Sequence, residues 1–495
     1  MRFARASGVL VHPTSFPGRY GIGDLAAGAR RVLDFLAAGG QRLWQVLPLG
    51  PTGFGDSPYA SFSAFAGNHL LIAPDLLAEH GWLHPADLDA MPSFPAERVD
   101  YGAVTTAKLR LLRQAHERFQ AGANATHRDE LAAFVAENQP WLDDYALFMA
   151  LKQAHGGVAW TAWESGAAAR DPAALREART ALADDVALHQ FLQWTFFQQW
   201  AALRQYAAGR AIKVVGDVAI FVAHDSADVW AHRELFHLDA HGMPTVVAGV
   251  PPDYFSRTGQ RWGNPLYRWE ALAATDYAWW IERLRMALRT ADLLRLDHFR
   301  GFHAYWEVPA DHPTAQHGRW VPGPRLDLFH ALTRALGEVP ILAEDLGKIT
   351  ASVRHMREQL GYPGMRVLQF AFGGDARNEH LPHCYTHDTA VYTGTHDNDT
   401  TRGWFQGCAP AERAFALRYA QSEGHDIHWD FIRLALASVA DTAIVPLQDV
   451  LGLGSEARMN LPGRAAGNWA WRCAEEQLSA PISARLAQVT STYAR

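Results

Sequence analysis

Residues Leu293 to Gly301, LLRLDHFRG, join an apolar run of strand length to a carboxylate, Asp297, and alternation puts Arg295 on the same face two residues earlier. A guanidinium beside a carboxylate favours the ionised form, the state a nucleophilic or charge-stabilising Asp requires. A buried Arg–Asp pair, or an Asp that caps the next helix, would explain one such run. Three more exist: IKVVGDVAIFV (212–222) carries Asp217, PILAEDLG (340–347) ends in Glu344 and Asp345, and VYTGTHDND (391–399) ends in His396 and Asp397.

The spacing between these runs restricts the architecture. Strand-like segments at 7–13, 43–49, 212–223, 293–299, 340–346, 365–372, 390–397 and 442–449 alternate with helical patterns such as ITASVRHMREQLG (349–361) and AERAFALRYAQSEG (411–424). Eight strands alternating with helices predict an α/β fold, a (β/α)8 barrel whose sites lie at the strand C-termini. The chain reads as one elaborated barrel over 1–495, with a helical insertion at about 70–210 after strand two and an insertion of turns at about 224–292 after strand three. No C-terminal β domain is expected, since the sequence ends soon after strand eight. Near the N-terminus, Asp24 is the expected N-cap of LAAGARRVLDFLAAGG (25–40).

Bulk properties exclude several classes of function. A net charge of −7 and a pI near 6.4 give no basic footprint for nucleic acid. No run of 18 apolar residues exists, and the N-terminus MRFARASGVLVHP is neither a signal peptide nor an anchor. Three scattered cysteines, Cys384, Cys408 and Cys473, do not form a disulfide framework, so a reducing, cytoplasmic setting is expected. Gly21, Gly23 and Ala26 match the dinucleotide fingerprint only superficially, because Pro13 and Pro17 separate them from the strand. His380, His383, Cys384 and His387 have metal-like spacing but no fixed fourth ligand nearby, and no metal is expected.

Two loops look suited to a ligand. GPTGFGDSPYASFSAFAGN (50–68) follows strand two and carries Ser57 and Tyr59, which either touch a ligand or pack the loop on itself. VVAGVPPDYFSRTGQRWGNPLYRW (246–269) presents Tyr254, Phe255, Trp262 and Tyr267. Long ordered loops in compact domains are usually functional, and these aromatics, among 18 Trp in the whole chain, suit a sugar. At a barrel mouth the acids divide their work. Asp297 beside Arg295 is the expected nucleophile, Glu344 in an apolar run the protonated general acid, and Asp397 beside His396 a stabiliser of positive charge.

These residues resemble the four short regions of the α-amylase clan of barrel enzymes, and more specifically the bacterial 4-α-glucanotransferases, also called amylomaltases or disproportionating enzymes. The resemblance rests on HPTSFPGRYGIGD (12–24), WQVLPLGPTGFGDSPY (44–59), GDVAIFVAHDSADVW (216–230), GVPPDYFSRTGQRWGNPLY (249–267), LRLDHFRGF (294–302), AEDLG (343–347), GTHDNDT (394–400) and RMNLPG (458–463). It implies Asp297 as nucleophile, Glu344 as acid/base and Asp397 as transition-state stabiliser. It further implies that Asp217, Arg295, His298 and His396 hold the sugar and that Ser57, Tyr59 and Trp262 line the glucan groove. The one visible departure is Val218-Ala219, where relatives often carry Pro nearby. The implied substrates are maltooligosaccharides, starch or glycogen chains, with glucose as a possible acceptor, handled without a cofactor by a monomer or weak oligomer. An α-glucan hydrolase with the same acids, or a catalytically silent glucan-binding protein, are the alternatives.

Overall fold

A computed structural model describes residues 3–252, 256–464 and 466–495. Its strands are β1 (Ala6–Leu10), β2 (Leu43–Gln45), β3 (Lys213–Val218), β4 (Val246–Val250), β5 (Gln260–Pro265), β6 (Leu293–Leu296), β7 (Ala304–Pro309), β8 (Arg319–Pro322), β9 (Ile341–Ala343), β10 (Gly364–Val367), β11 (Thr389–Tyr392) and β12 (Thr442–Pro446). Eight are parallel, in the order β10-β11-β12-β1-β2-β3-β6-β9. The two ends of that series meet where the Ala343 N–H donates to the Pro363 carbonyl at 2.9 Å. With helices on the outer side of the ring, the fold is the (β/α)8 barrel that the strand rhythm predicts.

The outer helices follow from their patterns. In Ala27–Ala38, Ala29, Val32, Leu33 and Leu36 are buried at 3- and 4-residue spacing, while Arg30, Arg31 and Asp34 face solvent. This helix starts later than the sequence suggests. Asp24 is not its N-cap: the Asp24 carboxylate accepts the Ala26 N–H at 3.0 Å, forming a turn before the helix. Close packing requires a glycine at Gly8, which pairs with Leu43 in register. A Cβ there would lie 2.4 Å from the Leu43 Cβ.

Every barrel strand is shorter than its apolar run. The run continues as chain that has left the ladder, because side chains at the mouth replace the ladder's acceptors. His12 Nδ1 accepts the Leu47 N–H at 3.3 Å, and Glu344 Oε1 accepts the Leu346 N–H at 2.8 Å. Strand ends bonded to side chains point functional groups inward.

Between β2 and β3 the described chain is helical, dominated by Tyr101–Gly122, Ala125–Ala154 and Ala183–Ala208. Buried Lys108, on the helix Tyr101–Gly122, ties that helix to the segment that follows β2 by donating to the carbonyls of Leu70 at 2.6 Å and Ile72 at 2.8 Å. Trp200 packs on Trp44 of β2 with centroids 5.5 Å apart, an aromatic contact worth about 0.5–1.5 kcal/mol beyond its buried area.

The 224–292 stretch corrects the reading of it as an ordered loop of turns. It contains β4 and β5, and with β7 and β8 these form an antiparallel sheet in the order β5-β4-β7-β8. The runs VVAGV and AYWEVP are rich in β-branched and aromatic residues. Their pairing spans over fifty residues of sequence, so local pattern does not reveal it. Tyr267 is fully buried and donates its hydroxyl to the Ile220 carbonyl at 3.0 Å, so it packs the core instead of facing a ligand. Tyr254 and Phe255 lie outside the described residues.

Candidate active site

Adjacent strands place the acids by register. In the β3–β6 ladder Asp217 is the direct partner of Arg295, so both project to the same side of the sheet. Beyond the ladder the chain stays in step: the Asp297 N–H donates to the Val218 carbonyl at 3.0 Å and the Glu344 N–H to the Leu296 carbonyl at 3.0 Å. Asp297 and Glu344 therefore leave neighbouring strands at one level, and Asp217 lies two residues before that level, beside Arg295.

One guanidinium links two of them. Arg295 Nη1 donates to both Asp217 oxygens at 2.8 Å, and its Nη2 lies 2.9 Å from Asp297 Oδ1. Tyr59 closes the cluster by donating its hydroxyl to Asp217 Oδ2 at 2.7 Å. The Asp217 side chain has no exposed surface, and both its oxygens are engaged, whereas Asp297 is 26% exposed at the mouth. Burial pushes the Asp217 carboxyl upward against the pull of Arg295, and the surrounding carboxylates hold Arg295 firmly protonated.

Glu344 is the titratable member. Its Oε2 accepts the His298 N–H at 2.7 Å and its Oε1 the Leu346 N–H at 2.8 Å, contacts that favour the ionised carboxylate. Burial, reinforced by the charge of Asp297, outweighs them and raises Glu344 to about 7. The His298 contact has a conformational cost: His298 sits at φ 48°, a left-handed geometry uncommon for residues other than glycine. That turn is what aims its N–H at Glu344.

The turn after β11 supplies the opposite wall. His396 is buried, with its Nε2 3.4 Å from Asp397 Oδ1, and its ring stacks on Tyr59 at 5.2 Å. Asn460 holds this turn twice, donating its backbone N–H to the His396 carbonyl at 3.0 Å and its side-chain amide to Asp397 Oδ1 at 2.6 Å. Arg458 adds a bond to the Asp397 carbonyl at 2.6 Å. Asp397 itself is 48% exposed, open to whatever enters the mouth.

At the rim, Trp262 on β5 is 39% exposed and meets the His298 ring edge-on at 4.8 Å. The Ser57 hydroxyl accepts the Tyr59 N–H at 3.2 Å, so Ser57 shapes the turn that presents Tyr59. Burial lowers His298 to about 4, which leaves it a neutral ring, and its Nε2 has no partner among the described residues.

Asn460, Arg458 and Trp469, whose ring lies 5.9 Å from both Tyr59 and His396, escape a reading based on strand ends. They come from the segment after β12; RMNLPG, whose polar residues sit in no periodic element, signals Arg458 and Asn460 but not Trp469. The His380–His387 cluster disperses. His380 Nδ1 accepts the Val367 N–H at 3.1 Å, His383 contacts Tyr419 and the Ala376 carbonyl, and His387 faces Asp441. Among the described residues no three or more His, Cys, Asp or Glu side chains form a group able to hold a metal.

A carboxyl that keeps its proton near neutrality, beside a carboxylate on the next strand at a barrel mouth, is the equipment of a barrel enzyme that works on glycosidic bonds. Comparison with known proteins agrees. The profile of the 4-alpha-glucanotransferase family matches residues 11–478, and the chain belongs to that family. It is 53% identical over 494 residues to the 4-alpha-glucanotransferase of Thermus thermophilus, covering 98% of each chain. It is 51% identical over 497 residues to that of a Synechocystis strain, covering 99% of this chain and 98% of the relative. Its structure superposes on the amylomaltase from Streptococcus agalactiae in complex with acarbose with a TM-score of 0.95 and 39% identity, covering 99% of each.

Proposed function

We propose that this protein is a retaining 4-α-glucanotransferase that moves an α-1,4-glucan segment from a maltooligosaccharide, starch or glycogen chain to the 4-OH of another glucan or of glucose. The observation that carries this reading is the placement of Glu344: raised to about 7, it is bonded through His298 to the turn that follows Asp297.

In the first half-reaction Glu344 gives its proton to the departing glycosidic oxygen while an Asp297 oxygen attacks the anomeric carbon, forming a β-glycosyl ester. In the second, ionised Glu344 removes the proton from an incoming 4-OH, which displaces Asp297 and restores the α-1,4 bond. Positive charge on the sugar ring in both transition states faces Asp397, and the cluster of Asp217, Arg295, Tyr59 and His396 shapes the floor beneath the ring. Trp262, Ser57 and the His298 ring serve as groove contacts. The reaction needs only acid and base groups, with no cofactor.

The chain acts as one elaborated catalytic barrel over 1–495, in which 70–210 and 224–292 are insertions around the mouth. It works in the cytoplasm as a monomer or weak oligomer. Three unpaired cysteines fit a reducing compartment, and no helix among the described residues is long and apolar enough to cross a membrane.

Incubation with maltotriose tests the proposal. A ladder of longer maltooligosaccharides together with glucose is the expected result. Glucose and maltose alone would mean that water is the acceptor and the protein a hydrolase, and no turnover at all would leave a binding protein.

A further inference from the structure

The barrel closes through a side chain. Ladders of main-chain bonds join each successive pair in the order β10-β11-β12-β1-β2-β3-β6-β9, whereas β9 and β10 share the single bond from the Ala343 N–H to the Pro363 carbonyl. At the next position, where a ladder would supply a carbonyl, Asp345 Oδ1 accepts the Met365 N–H of β10 at 2.7 Å. The other oxygen, Oδ2, lies 3.2 Å from Nη1 of Arg357, on the helix Ala351–Gln359 outside the barrel. Arg366 Nη1 stands 3.7 Å from Oδ1. Asp345 and Arg357 are both nearly enclosed, at 4% and 11% side-chain exposure.

Gly364 shows that the space belongs to this pair. A Cβ there would sit 1.8 Å from Arg357 Nη1 and 2.6 Å from Asp345 Oδ2. The first residue of β10 has no side chain because the ion pair fills its place.

Asp345 directly follows Glu344. On the β6 side Glu344 is held by its own main chain, through Leu296 and Phe299, and by the His298 N–H on its carboxylate. Its other oxygen is held by the Leu346 N–H, one residue past Asp345. The orientation of that N–H is therefore set by how Asp345 is anchored to β10.

We infer that Asp345, latched to Met365 and Arg357 across the closing seam, is a positioning residue that holds the Glu344 carboxyl at the reach needed for proton transfer. This rests on Glu344 being the acid/base. The latch touches no substrate, so its loss costs proton transfer and spares sugar binding.

The test compares two donors in Asp345→Asn and Arg357→Met. Maltotriose requires the proton of Glu344. With α-maltosyl fluoride the C–F bond breaks as an Asp297 oxygen bonds to the anomeric carbon, and fluoride leaves as the free anion without a proton. Each variant is expected to lower kcat on maltotriose about 10–100-fold with KM moved less than about twofold, while the burst of fluoride release stays within about threefold of the parent. Equal losses on both donors would mean a structural role only, and full maltotriose turnover in the folded variants would mean no role; either overturns the inference. Should Asp345→Asn fail to fold, Arg357→Met decides alone. Glu344→Gln separates the two assignments: if it abolishes the fluoride burst as completely as maltotriose turnover, Glu344 is not the acid, whatever the latch variants do.

Discussion

The backbone N–H of His298 donates to Oε2 of Glu344 at 2.7 Å, so the residue that follows Asp297 in the chain also grips the neighbouring carboxyl. Despite this bond and that from Leu346, burial and Asp297 lift Glu344 from 4.5 to about 7. Two outcomes follow. Transfer from maltotriose is expected to decline as pH rises through about 7, and a profile flat to pH 9 would remove Glu344 as the acid. In stability the sign is that of a raised carboxyl: its contribution is complete below the unfolded value of 4.5 and is lost as pH rises through about 7. Between pH 5 and pH 8, denaturant unfolding of Glu344→Gln should therefore improve relative to the parent by up to about 3 kcal/mol. An unchanged difference would refute the raised value.

Arg295 is the only cation bonded to both Asp217 and Asp297 among the described residues. Arg295→Met leaves a fully enclosed Asp217 without its counter-charge, and removing one partner of a buried pair costs about 3–5 kcal/mol. Arg295→Lys supplies a charge but lacks the second nitrogen that spans to Asp297. The expected order of stability by urea midpoint is parent, then Lys, then Met, with transfer lost in the Met variant. A Met variant as stable as the parent would show that the cluster does not depend on this charge.

Much of this arrangement was legible in the sequence because barrel strands are locally encoded. Apolar runs of strand length ending in Asp297, Glu344 and Asp397 fix which edge each acid occupies, and the resemblance in LRLDHFRGF, AEDLG and GTHDNDT covers the same positions. What escaped notice depends on contacts distant in sequence. The antiparallel sheet forms only when β4 meets β7. Asn460 reaches Asp397 from 63 residues away. Tyr267 reads as a loop aromatic until the core closes over it. Asp24 illustrates a smaller failure, since a residue well placed to cap a helix instead bonds within the preceding turn.

Tyr59 combines a hydroxyl bond to Asp217 with ring stacking on His396. Tyr59→Phe keeps the ring and removes the bond, leaving both Asp217 oxygens to Arg295 alone. The expected cost is about 1–2 kcal/mol of stability, with KM for maltotriose raised more than kcat is lowered. A Tyr59→Leu variant, which also loses the stack, should be worse on both. If Phe and Leu behave alike, the ring contributes nothing to holding His396.

Asn460 offers the sharpest test of the wall around Asp397. Its amide donates to Asp397 Oδ1 at 2.6 Å, so Asn460→Ala frees an exposed carboxylate to rotate, and a loss of about 10-fold in kcat at every pH is expected. Asn460→Asp instead sets a second carboxyl against Asp397. Like charges this close cannot both ionise cheaply, so the new carboxyl keeps a proton to higher pH than a free Asp would. Below that point it is a donor that imitates Asn. Above it the two acids repel, and Asp397 turns away from the mouth. Activity of Asn460→Asp should therefore approach the parent toward pH 5 and fall below Asn460→Ala at pH 8. Parallel pH profiles for the Ala and Asp variants would mean that the Asn460 side chain does not act through Asp397.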